Sequence, residues 1–225
     1  MFEYFNNKKK QEELCRNEQV FVVPFDRVQM FSDKFSMRIS SNTNQYIKYF
    51  NEIETGGLFV SRNDAEGNVS IQQLIPYTII FNKDMSKLYT AYRKKGDSRL
   101  NNVYSLGFGG HINPIDSSGK DKSLIINAAI RELEEEVNIK TIYKLNYLGT
   151  VRDLQSETKE HLGFVFAVTT NNRVSIKEKD KMEGSWMDIK ELYDKYYKFE
   201  SWSRYIIDYL FVLSKQNKLK DLLLK

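Results

Sequence analysis

Apolar and polar positions along the chain fall into blocks with two distinct periods. Val20-Phe21-Val22-Val23-Pro24 is a β-branched and aromatic run stopped by proline, which predicts a short strand. Asn42 to Tyr49 has helical spacing, with Ser41 as its cap, and Leu58 to Val60 predicts a second short strand. Arg62 to Asn68 is a turn by composition. Gln72 to Phe81 is an apolar strand with Pro76 expected at or near its start or on an edge, and Lys87 to Arg93 returns from a hairpin-type turn at 82–86. A loop over 94–98 follows, and Val103 to Leu106 then runs into a glycine turn. A helix is predicted from about Ser123 to Val137, with Ser123 or Asp121 as N-cap and Asn138 at a C-cap that favours αL. Further on, 141–153 reads as a strand pair or one bent strand, Leu162 to Thr169 as a strand, and Val174 to Ile176 as a short one. Trp186 to Tyr193 looks like a strand end entering a short helix. Ser201 to Leu213 is helical, and its stripe of Trp202, Tyr205, Ile206, Tyr209, Leu210 and Leu213 is read as core. Strands with short connections and interspersed helices predict an α/β (α+β) fold.

Composition narrows the class. The chain has 225 residues, 41% hydrophobic and 28% charged, which reads as soluble and globular. The net charge of +4 is spread without a basic stripe, so nothing calls for nucleic acid. The single cysteine, Cys15, rules out an internal disulfide. The first ten residues hold no apolar signal-peptide core. The C-terminal apolar run from Tyr205 to Leu213 is interrupted by Asp208 and falls short of the ~20 residues of a membrane span. A cytoplasmic protein without a membrane partner is the expectation.

Chemistry concentrates in one place. Gly107-Phe108-Gly109-Gly110-His111-Ile112 precedes a helix carrying Glu132, Glu135 and Glu136, whose i, i+3, i+4 spacing puts three acids on one face. The apolar stripe of Ile126, Ile130, Leu133 and Val137 lies roughly opposite. Like charges at this spacing cost about 0.2–0.5 kcal/mol per pair, and acids near a helix C-terminus oppose the macrodipole. A divalent cation reverses both effects, and hard oxygen ligands suit Mg2+, with Mn2+ as the alternative. The bland reading is a solvated acidic face.

Gly110 followed by Arg131-Glu132-Leu133-x-Glu135-Glu136-x-Asn138-Ile139 resembles the Nudix box. Gln73 to Tyr77, Gly107 to Asp116, His161 to Gly163 and Glu200 to Ser203 are similar to a bacterial and phage branch of that family's phosphoesterases. The resemblance spans about residues 70–210. It implies an α/β/α sandwich with a mixed central sheet. The expected division is an extension over 1–69 packed on or preceding the core, a hydrolase domain over 70–213 with a C-terminal helix, and a tail over 214–225. It further implies metal-dependent hydrolysis of nucleoside diphosphates linked to another moiety, with a small nucleotide-type substrate. Glu132, Glu135 and Glu136 would bind Mg2+, with Glu135 and Glu136 catalytic. Arg131 would orient a carboxylate, and the Gly109-Gly110 backbone would lie close to metal or phosphate. Arg93, with Arg99, is a candidate for substrate phosphate. The additional acid that the family often uses is expected among Glu157, Glu160 and Glu183, with Glu160 taken as the catalytic choice.

Three departures qualify the match. The loop Asn113 to Lys122 is about seven residues too long, Ser123 stands where the first box glutamate belongs, and Asn138 replaces the box glycine. Asp116 or Asp121 are the candidates to stand in for the missing acid. His111 and His161 are read as structural before catalytic, and Tyr77, Tyr92 and Phe108 as core before base-stacking. Two other readings remain open: a ligand-binding or sensor module of the same fold without turnover, and an interaction protein whose acidic helix is plain surface. The substrate and oligomeric state, a homodimer included, are not legible.

Overall fold

The computed structural model describes residues 18–37, 43–94, 102–119, 123–139 and 144–223, with backbone alone for 43–45. Cys15, Ser41, Arg99 and Asp121 lie outside these residues, as do most of the polar start of the chain and most of the 94–98 loop. In chain order the strands are β1 (Gln19–Pro24), β2 (Lys34–Met37), β3 (Leu58–Ser61), β4 (Ile71–Asn82), β5 (Lys87–Arg93), β6 (Tyr104–Ser105), β7 (Gly107–Phe108), β8 (Val137–Asn138), β9 (Asn146–Arg152), β10 (His161–Thr170), β11 (Ser175–Ile176) and β12 (Met182–Asp188). The helices are α1 (Thr43–Glu54), the single turn α2 (Arg62–Ala65), α3 (Leu124–Glu136), α4 (Ile189–Asp194) and α5 (Ser201–Lys215).

Two long strands carry the architecture. β4 and β10 run parallel over ten residue pairs, from His161 opposite Gln73 to Thr170 opposite Asn82. Both are buried on both faces, as parallel strands covered by helices must be. Around them a ten-stranded mixed sheet has the order β12-β5-β4-β10-β9-β2, with β1 and β7 on β4, β3 on β1 and β6 on β5. β8 and β11 form a separate two-stranded ladder. Alternation then sorts the side chains. Ile75, Tyr77, Ile79, Val165 and Ala167 face α5 through Trp202, Ile206 and Leu210. Leu74, Leu162, Phe164 and Phe166 face α1 and α3 through Phe50, Ile125 and Ala129. The result is an α/β/α sandwich with a mixed central sheet, as the sequence predicts.

The helix bearing the acids is fixed at its start by two groups. Ser123 is its N-cap and accepts the Ile126 N–H. Glu54, from the end of α1, accepts the N–H groups of Leu124 (3.2 Å) and Ile125 (3.0 Å) and the Ser123 hydroxyl (2.7 Å). A carboxylate placed there satisfies orphan donors and meets the positive end of the helix dipole.

Several expectations need correction. Pro76 is neither at a strand start nor on an edge; it sits mid-strand in a central position opposite Phe164. Gln73 N–H donates toward β10 through Glu160 O, so by alternation the nitrogen of Pro76 points to the other flank. There the partner changes from β1, ending at Gln73, to β7, starting at Thr78, and no ladder donor is needed. Asn138 does not cap α3 in αL. Val137 is already extended (φ −127°) and the chain passes directly into β8, paired with β11. Of the two alternatives for 141–153, the described residues give one strand, β9, with a register shift between Gly149 and Tyr147; α1 runs on to Glu54, and β2 has no sequence forecast.

Phe50 is fully buried and meets the rings of Tyr147, Phe164 and Phe166 at 4.9–5.9 Å. Phe50→Ala is expected to cost about 3–5 kcal/mol, read as a lower urea midpoint.

Candidate functional site

The glycine turn and α3 are brought together by close approach. A Cβ on Gly109 would lie 1.9 Å from Pro76 O, and one on Gly110 2.7 Å from Glu132 Oε2. The glycines therefore let the 107–112 segment slide between β4 and the helix. Tyr77, Glu200 and Ser203 hold this segment from behind. Gly107 N–H donates to Tyr77 Oη (2.9 Å), Leu106 N–H donates to Ser203 Oγ (2.7 Å), and Tyr77 Oη donates to Glu200 Oε1 (2.7 Å). Tyr77 thus has a packing and hydrogen-bonding role, and Phe108 is buried beside Tyr89. Tyr92 packs on Tyr104.

Arg131 is the hub. Its Nε and Nη2 donate to the two oxygens of Asp116 (2.8 and 2.9 Å), Nη1 donates to Glu132 (2.6 Å) and Glu135 (3.1 Å), and Nη2 also donates to His111 O (2.8 Å). Asp116 lies in the inserted loop, on a 3-10 turn over Pro114–Ser118, and is 3% exposed. Its Oδ2 also accepts the Asn113 N–H (2.8 Å). Of the two acids offered as stand-ins for the missing first glutamate, Asp116 pairs with the arginine.

The acids are not on a solvated face. Glu135 is exposed, but the Glu132 side chain is 13% exposed, and Glu136 is partly buried with Oε2 accepting the Gly109 N–H (3.2 Å). Burial raises the Glu132 carboxyl against the pull of Arg131. Burial also pushes Glu136 up to about 7; the charge of Arg93 opposes this and that of Glu132 adds to it. Arg93 therefore faces the acid cluster, and its Nε is buried without a partner.

The other candidates are placed elsewhere. The Glu160 carboxylate accepts the Gly67 N–H (3.3 Å) beyond α2, away from the α3 acids in its contacts. Glu183 pairs with Lys94 on the surface (2.9 Å), and Glu157 is exposed. His111 Nδ1 lies 3.1 Å from Glu18 Oε1, and its ring is 5.7 Å edge-on from that of His161. Sequence reasoning missed Glu18, which also binds Arg62 (2.9 Å), because it pairs across 93 residues with no local signal.

A metal fits this donor set by chemistry. Asp116, Glu132, Glu135 and Glu136 lie around Arg131 and Arg93, and this excess of oxygen donors over guanidinium groups is of the kind that suits a hard divalent cation. Among the described residues no three acidic or histidine side chains converge at coordinating distances, while Arg131 holds Glu132 and Glu135.

A family model described as the NUDIX domain matches residues 78–210. Protein YmaB from Bacillus subtilis (strain 168) is 32% identical over 201 residues, which cover 86% of this chain and 98% of that protein. The structure of Tm1382, a candidate Nudix hydrolase, matches with TM-score 0.70 and 25% identity over 87% of this chain and 100% of that one. A bifunctional NMN adenylyltransferase/ADP ribose pyrophosphatase from Francisella tularensis shares the fold (TM-score 0.50, 14% identity, 75% of this chain and 46% of that one).

Two outcomes are expected from the ion pairs. Asp116→Asn leaves Arg131 short of a buried partner and should cost about 3 kcal/mol in chemical denaturation. Burial alone would raise the Glu18 carboxyl, but His111 and Arg62 outweigh it and hold it at about 2, below its usual 4.5. Its contribution is thus complete above pH 4.5 and lost as pH falls toward 2. Glu18→Gln should destabilise at pH 6, with the difference from wild type shrinking by pH 2.5.

Proposed function

The chain belongs to the NUDIX domain family and is an enzyme of its hydrolase type, and from that premise we propose that it cleaves a diphosphate linkage in a nucleoside diphosphate derivative with Mg2+. The observation that carries this reading is the surplus of negative charge around the last turn of α3, built into a partly buried site at considerable desolvation cost. Glu132, Glu135 and Glu136 would hold the ion, with Mn2+ as an alternative. A bound divalent ion neutralises the diphosphate oxygens and lowers the pKa of water.

The chain's own residues do the rest. Glu135 is the exposed carboxylate of the three, so water reaches it and it takes the proton as the water oxygen bonds to phosphorus. The P–O bond of the linkage breaks and the second phosphate leaves with its electron pair. Arg131 fixes the rotamers of Glu132 and Glu135. Arg93, whose charge acts on Glu136 and whose Nε is buried without a partner, would meet a phosphate oxygen. Glu160 accepts the Gly67 N–H through one oxygen and buries the other without a partner, and this scheme gives it no role. Asp116 supplies the arginine partner whose absence from the box motivated a sensor without turnover.

The test is a hydrolysis screen over nucleoside diphosphate sugars, dinucleoside polyphosphates, nucleoside triphosphates and dinucleotide cofactors with Mg2+ or Mn2+. Glu135→Gln and Glu136→Gln are each expected to lower kcat/KM by about 10²-fold or more. Full activity in both would sink the proposal.

A further inference from the structure

The side-chain hydrogen bonds of Glu18 go to Arg62, His111 and Asn113, and two of them lead on to Arg131. In the first route, His111 Nδ1 lies 3.1 Å from Glu18 Oε1, and the carbonyl of the same residue accepts from Arg131 Nη2 (2.8 Å). In the second, Asn113 Nδ2 donates to Glu18 Oε1 (3.3 Å), and the N–H of the same residue donates to Asp116 Oδ2 (2.8 Å). That oxygen also accepts from Arg131 Nη2 (2.9 Å). Each residue thus turns its side chain to Glu18 and a backbone group to the arginine or to its carboxylate partner.

The acceptors of Arg131 divide accordingly. Glu132 and Glu135 are carried by α3 itself, whose backbone is fixed by its own hydrogen bonds. The His111 carbonyl and the Asp116 carboxylate belong to the loop, and Glu18 holds a residue at each. Glu18 is in turn fixed from the far side. Its Oε2 accepts from Arg62 Nη1 (2.9 Å), its carbonyl accepts the Arg62 N–H (2.8 Å), and Arg62 Nε donates to Glu66 (3.0 Å). A carboxylate held at both oxygens has little rotamer freedom left and serves as a fixed point for the loop.

We propose that Glu18 is a positioning residue of the hydrolytic site. Through His111 and Asn113 it places the loop acceptors of Arg131, and through Arg131 it places Glu132 and Glu135 for the divalent ion. The inference rests on the reading of that site as a metal-dependent hydrolase. Groups that orient metal ligands from behind are worth about 10–100-fold in metal affinity or activity, and Glu18, one step further out, belongs at the lower end. Both loop donors meet the single atom Oε1, so an acceptor there matters more than the charge. Glutamine keeps such an acceptor and alanine removes it. In Glu18→Ala the Phe21 N–H still meets Ile112 O and Asn113 Nδ2 still meets Gln19 O, so the loop stays on β1 and loses only its exact placement.

Mn2+ titration calorimetry and Mg2+-dependent hydrolysis kinetics on the full chain test this. Glu18→Ala should weaken Mn2+ by about tenfold and lower kcat by about tenfold at saturating metal, with KM within about threefold of wild type. Glu18→Gln should stay within about threefold of wild type in metal affinity and kcat, although it also loses stability at pH 6. A merely structural role would not separate the two variants in this way. Wild-type values in Glu18→Ala, or equal losses in Glu18→Ala and Glu18→Gln, would overturn the proposal. Amide hydrogen exchange reads the loop without metal. The Gly109 and Asn113 N–H groups, which donate to Glu136 and Asp116, should exchange about tenfold faster in Glu18→Ala, beyond any change in β10. If wild type neither binds Mn2+ nor cleaves, the hydrolase reading fails and exchange alone decides whether Glu18 places the loop. If wild type binds and cleaves and Glu18→Ala matches it, the positioning role fails and the hydrolase reading stands.

Discussion

The geometry of the site depends on one saturated guanidinium. Arg131 has five N–H donors, and all five are used: two on Asp116, one each on Glu132 and Glu135, and one on the His111 carbonyl. Those acceptors come from three segments, namely the glycine turn, the inserted 3-10 turn and the last half of α3, which are also joined by single hydrogen bonds such as Gly109 N–H to Glu136 and the Asn127 side chain to Asp116 O. A lysine at this position would offer three donors from a single point and could not span them. The same fork draws Glu132 inward, where only a glycine at 110 leaves room for its carboxylate. The arginine and the glycines therefore belong to one constraint although twenty residues separate them in sequence.

What the sequence makes legible follows from range. Periodicity finds α3, α5 and the β4–β5 hairpin because their signals are local and repeat. The acid triplet and Arg131 are equally visible as a pattern on one helix. The wheel, however, places Glu132 and Glu136 opposite the apolar stripe and so suggests solvent, whereas the 107–113 segment covers that side. No helical period encodes a loop crossing over a helix. Asp116 is hidden for a related reason. Its loop has no period, and its partner is chosen by the path of the insertion. β2, four residues long at the sheet edge, is too short to alternate visibly.

Described residues before 70 pack on the loop that carries the glycine turn. β1 donates from Phe21 N–H to Ile112 O (2.9 Å), and the Gln19 carbonyl accepts from the Asn113 side chain (2.8 Å). Glu18 meets His111, and Glu54 caps the acidic helix. The family match begins at residue 78, yet these earlier residues fix both ends of the loop that carries Gly109 to Asp116. The glycine-turn loop is thus held by portions of the chain far apart in sequence.

The charge balance around α3 ties these points together. Buried carboxylates in excess of their cations must either take up a proton or bind a positive ion. With Arg131 engaged by other acids and the charge of Arg93 only opposing the rise, burial leaves Glu136 at about 7. On the proposed reading, a divalent cation would meet the same deficit that a proton meets. The arrangement also explains why Arg131 reaches both Glu132 and Glu135 through one nitrogen. The guanidinium limits the repulsion between neighbouring acids at i and i+3 and keeps their carboxylates near one another. The arginine that organises the folded site is in this way also the group that makes its surplus charge tolerable.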